Sequence, residues 1–173
     1  MGETYRVDRS GGPDAPTARG LDDLYLGTKI RLADQTGARP ALSMEASATV
    51  PTGATAISAG AVLPGAALLL SWGSSGPWSA GIEVAGTRQS DQSTQLAASL
   101  SIQFQATSRA QLYGEWFTFQ ALGAGANATG QHYADSGVLV LLTQNMQADA
   151  RIGFGLNGAA DRLFTGVGFA IRR

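Results

Sequence analysis

The chain has 173 residues, of which 12 are basic, 13 acidic and 23 glycine, with one histidine and no cysteine. A formal charge of −1 excludes the basic face a nucleic-acid binder needs, and the missing thiols exclude zinc–thiolate, iron–sulfur and disulfide frameworks. Charged residues make up only 14%, against about 25% in an ordinary soluble domain, so the surface is unusually poor in charge.

Along the chain, Met1 to Ser10 carries Glu3, Arg6, Asp8 and Arg9 and cannot be the apolar core of a signal peptide. A first, short strand is predicted at about 3–8. From Asp23 the residues alternate, with Leu24, Leu26, Thr28, Ile30 and Leu32 on one parity and Asp23, Tyr25, Gly27, Lys29 and Arg31 on the other. This predicts a strand over 21–33, since a period of two places alternate side chains on opposite faces. The pattern returns at 41–51, 64–73, 77–87, 94–106, 109–120, 131–143, 146–157 and 161–172. Ten strands result, or twelve if 3–20 or 52–63 hides two more. The stretch 59–72 is apolar but broken by Gly60, Pro64 and Gly65, and is too short for a membrane helix.

Most of these strands are longer than the usual 5–6 residues and reach the 9–11 that a tilted membrane-spanning strand needs. The turns at 73–76, 107–108 and 144–145 are tight and fall on the side of the C-terminus. The connections 9–20, 52–63 and 121–130 are long and fall on the other. A connection at 158–160 is short for its side, and 34–40 is middling for the opposite one. Together these features predict an all-β, antiparallel transmembrane barrel forming a single domain over 1–173. A sheet can cross hydrocarbon only by closing on itself, which satisfies every backbone group. Trp72 and Trp78 beside a tight turn, and Tyr133 at a strand start, are expected in an interfacial aromatic girdle.

If Leu24, Leu42, Ile82, Leu112, Ala134, Ile152 and Val167 face lipid, their neighbours face the lumen. This assigns the acids Asp23, Glu45, Glu83, Glu115, Asp135 and Asp149 to the interior, with the bases Lys29, Arg31, Arg151 and Arg172. Tyr25, Tyr113, Phe117 and Phe119 share that parity. One reading is an ion-pair network that fills a narrow barrel, with Arg31, Arg151 and Arg172 within reach of the inward acids. The other is a polar and aromatic path for a small solute. Catalysis is not expected. No Gly-x-Ser-x-Gly elbow occurs, and His132 and Asp135, three apart on a strand, point to opposite faces. No metal or other cofactor is expected.

The runs Gly20-Leu-Asp-Asp-Leu-Tyr-Leu-Gly-Thr-Lys-Ile-Arg-Leu32, Ala46-Ser-Ala-Thr-Val-Pro-Thr-Gly53, Leu112-Tyr-Gly-Glu-Trp116 and His132-Tyr-Ala-Asp-Ser-Gly137 carry a resemblance. Over about residues 20–173 the chain resembles the outer-membrane transporter family named "Putative MetA-pathway of phenol degradation". Relative to that family it is expected to be short at the N-terminus, and Phe169 to Arg173 lacks the terminal aromatic common in such barrels. The resemblance implies a bacterial outer-membrane location and passive uptake of small hydrophobic or aromatic molecules such as phenols. Its implied partners are outer-membrane lipid and lipopolysaccharide, the barrel-assembly machinery and the solute, with no nucleic acid. A structural or adhesive barrel without transport, and a soluble lipocalin-like ligand-binding barrel, are the alternatives.

Overall fold

Strict alternation of apolar and polar residues gives each segment one apolar and one polar edge-on face, and such segments are stable only when paired side by side. The computed structural model, which describes residues 5–8, 18–123 and 129–172, shows eleven strands and no helix among those residues. They are β1 (Tyr5–Asp8), β2 (Ala18–Leu21), β3 (Leu24–Ala33), β4 (Ala41–Val50), β5 (Leu63–Gly73) and β6 (Trp78–Arg88). β7 (Thr94–Gln105), β8 (Ala110–Leu122), β9 (Gln131–Thr143), β10 (Met146–Gly155) and β11 (Phe164–Ile171) follow. β3 to β11 form one antiparallel meander in which every strand pairs with its sequence neighbours, while β1 and β2 form a separate two-stranded ribbon.

The strand expected over 21–33 is divided in two. Asp23 turns the chain out of the sheet: its backbone N–H bonds the Asp22 carboxylate at 2.9 Å, and its own carboxylate accepts the Gly53 N–H at 2.9 Å and the Ala59 N–H at 2.8 Å. The expected closure is also absent, since β3 and β11 are the two edges of the sheet and no ladder joins them among the described residues. The final connection runs from 156 to 163, longer than the sequence pattern indicates, because β11 begins at Phe164.

Register places Leu42, Leu70, Ile82, Leu100, Trp116 and Ala134 in one row across β4 to β9, and Leu112, Val138, Ala150 and Val167 in another across β8 to β11. This face is exposed: Leu100 is 46% accessible and Val167 89%. The opposite, polar face is concave. Phe117 of β8 and Phe164 of β11 have ring centroids 5.9 Å apart. Three strand spacings in a flat sheet would separate them by roughly 14 Å, so the sheet curls tightly toward its polar side. Small residues permit the curl. A Cβ on Gly153 would sit 2.1 Å from the Phe164 ring and 2.6 Å from Asp135 Cβ, so only glycine lets these side chains lie over β10.

Both ends of the sheet are stitched by side chains. At the tight-turn end, the Gln35 amide bridges to Gly73, accepting its N–H at 2.7 Å and donating to its carbonyl at 2.8 Å, and Trp72 Nε1 donates to the Ala38 carbonyl at 3.0 Å. At the other end Asp23 clamps the 52–63 loop. Desolvation pushes the Asp23 carboxyl up, but donors from Ala59, Gly53, Ser58 and Thr52 outweigh it and hold it below the usual carboxylate range. A depressed carboxyl contributes stability at neutral pH that is lost as pH falls through its folded-state pKa. Protection of the Gly53 and Ala59 amides, relative to their intrinsic exchange rates, should therefore persist until the solution is more acidic than an ordinary aspartate pKa, and Asp23→Ala should remove it. Rapid exchange at neutral pH in the parent would show that no clamp exists.

Candidate functional site

Tyr25, Lys29 and Arg31 on β3, Glu45 on β4 and Glu83 on β6 lie on the concave face, as do Tyr113, Glu115 and Phe117 on β8, Asp135 on β9, and Asp149 and Arg151 on β10. Two expected members lie outside it. Asp23 sits between β2 and β3 as the loop clamp. Arg172 lies just past β11, where its backbone N–H bonds the Asn145 carbonyl at 2.9 Å.

The floor of the concavity holds three cavities that share lining residues. One of about 250 Å³ is lined by Glu83, Ser99, Glu115, Phe117, Phe119 and Arg151. A second, of about 230 Å³, reaches Lys29 and Ser43 on β3 and β4 as well as Glu83 and Glu115. A third, of about 330 Å³, is lined by Gln103, Gln111, Tyr113, Glu115, Leu139 and Asp149. Glu115 borders all three, on the row that joins β6 to β10 across the trough.

The expected ion-pair network is sparse. Arg31 Nη1 pairs with Asp34 Oδ1 at 3.0 Å, an exposed contact at the strand end, rather than with Glu45. Such a pair contributes about 0–1 kcal/mol. Arg31 lies beside the register shift that ends β3, which brings it to the turn. Glu45 instead accepts a hydrogen bond from the Tyr25 hydroxyl. Arg172 makes no ion pair among the described residues. Arg151 does reach an inward acid: its Nη1 stands 3.8 Å from Asp135 Oδ2.

The feature that sequence reasoning missed is an aromatic cluster at the end of the concavity nearest the long loops. Tyr133, expected in an outer girdle, is only 6% exposed and stacks on Phe117 with centroids 4.9 Å apart. Phe164 meets Tyr133 edge-on at 5.7 Å, and Phe119 meets Phe117 at 5.6 Å. Arg151 lies over the Phe164 ring at 5.6 Å. Parity with Ala134 and Val167 already carried the signal for Tyr133 and Phe164, but a strand-start position and a misplaced strand boundary obscured it. His132 lies on the outer face, stacked with Trp116, and Asp135 on the inner one. The tryptophans beside the tight turn are on the outer face too, with Trp78 against Phe104 at 4.7 Å.

The geometry is a polar, aromatic-walled trough whose outside is apolar. A comparison with curated proteins returns no match. The profile of the family "Putative MetA-pathway of phenol degradation" matches residues 2–172, beginning well before the motifs at residue 20. The chain belongs to that family.

Proposed function

We propose that this chain acts in the bacterial outer membrane as a β-barrel through which small hydrophobic or aromatic molecules, phenols among them, pass passively. One observation carries the reading: the sheet presents apolar residues on its exposed convex face and charges and aromatics on its concave face. A soluble ligand-binding barrel of lipocalin type needs the reverse polarity. β3 to β10 run 10–13 residues, the length a tilted strand needs to cross hydrocarbon. Spanning also requires the free edges of β3 and β11 to be covered, because unpaired backbone groups are costly in lipid. The partners of this function are outer-membrane lipid and lipopolysaccharide, the assembly machinery and the solute. It needs no cofactor, catalytic step or nucleic acid.

Liposome swelling with graded solutes tests the proposal. Phenol-sized molecules should enter and disaccharides should not. Absence of permeation by any solute, with the protein inserted, would favour a structural or adhesive barrel.

A further inference from the structure

The register sets four charged residues of the trough on one slope. Glu83 on β6, Glu115 on β8 and Arg151 on β10 are two strands apart in turn, and each lies two residues nearer the tight-turn end than the one before. Lys29 on β3 continues the line, since its row runs through Glu45 and Ala67 to Ala85, two residues from Glu83. Two residues along a strand span about 6.7 Å and two strand spacings about 9.6 Å, so the slope is about 35°. Strands in a barrel tilt by about 35–45° from its axis, which makes this slope a level line across the barrel. The cavities agree. Glu83, Glu115 and Arg151 line the one of about 250 Å³, and Lys29, Glu83 and Glu115 the one of about 230 Å³, although no two of them are cross-strand partners.

Contact does not neutralise this level. Among the described residues neither Glu83 nor Glu115 has a hydrogen bond or an ion pair, and Lys29 has no ion pair. Glu45, the cross-strand neighbour of Lys29, is taken by the Tyr25 hydroxyl. Arg151 faces the buried Asp135 at 3.8 Å, which offsets its charge. Two uncompensated acids therefore oppose one uncompensated base around one cavity. Low-dielectric walls around a narrow polar path focus such a field.

We propose that Glu83 and Glu115 set the charge selectivity of the trough: at this level they favour cations, inorganic or organic ammonium, over anions. This rests on the reading of the trough as a solute path and adds a rule of charge to one of size and apolarity. Rings of acidic side chains select cations by attracting the ion without holding it too tightly to leave.

Reversal potentials in planar bilayers under a potassium chloride gradient read the sign directly. Potassium should permeate about tenfold more readily than chloride, the effect of two carboxylates and one ammonium within about 7 Å of a water-filled path. Glu83→Gln and Glu115→Gln should each lower that ratio, and the double variant should bring it to one or below. Lys29→Gln should raise it, and serves if the acidic positions do not tolerate change. Asp91→Asn, on the connection between β6 and β7, should leave it unchanged. A parent that prefers chloride or neither ion overturns the assignment. So does a ratio that the double variant leaves in place, or a Lys29→Gln ratio no higher than the parent's.

The chain has no cysteine, so Ser99→Cys gives a second readout in detergent, at a position between Glu83 and Phe117 that lines both cavities. A trimethylammonium methanethiosulfonate should modify it about tenfold faster than the sulfonate analogue, each relative to its rate with a free thiol in solution. Adding both glutamine substitutions should equalise the two. Equal rates without those substitutions overturn the charged level. Inserted protein without conductance overturns passage, and the thiol rates then decide the charge selectivity alone.

Discussion

Tyr133→Ala should destabilise the fold by about 3–5 kcal/mol, the range for removing a large buried aromatic. Tyr133 is one of very few nearly buried side chains among the described residues, and its ring contacts Phe117, Phe119 and Phe164, so truncation breaks three aromatic pairs. Tyr133→Phe keeps the ring and loses only a 3.4 Å hydrogen bond from the Asp161 N–H, so it should cost about 1 kcal/mol or less. Urea titration of both variants in detergent or lipid measures the difference. Similar midpoints for the two would mean that the cluster is loosely packed and does not set the curvature of β8 to β11.

Leu100→Arg should be the most damaging single substitution on the convex face. Leu100 is central in β7, and its cross-strand partners Ile82 and Trp116 are apolar. Against hydrocarbon an arginine near the midplane costs about 2–4 kcal/mol, whereas an exposed position in water tolerates it within about 0.5 kcal/mol. Folding yield into vesicles and urea stability of the inserted protein report which applies. Unchanged stability would place this face in water and remove the membrane reading.

Strand existence and facing were legible because they follow from a local rule: side chains alternate, and the apolar parity of Leu24, Leu100 and Ile152 persists over ten residues or more. The break at Asp22–Asp23 was not legible, because its cause is a clamp to Gly53 and Ala59, some thirty residues away in sequence. Ion pairing failed for a related reason. Parity puts Arg31 and Glu45 on one face, but the flexible arginine near the end of β3 reaches the turn acid Asp34 first, while Tyr25 takes Glu45. The aromatic cluster depends on curvature, which a period of two does not encode. The glycines that allow it, Gly153 above all, do not by themselves show which ring fills the space.

The meander order has a kinetic consequence. Because each ladder of the nine-stranded sheet joins consecutive strands, assembly can advance hairpin by hairpin, and each step closes only a short loop. Joining β3 to β11 is different in kind. It closes a loop longer by roughly four doublings, which costs about 2 kcal/mol more in chain entropy. With nine alternating strands those two edges also run in the same direction, so their direct union is a parallel ladder, slightly weaker per residue than the antiparallel ladders around it. Such a seam would therefore be the last element to form and the first to open. A bilayer, by penalising bare edges, would act chiefly on that final event.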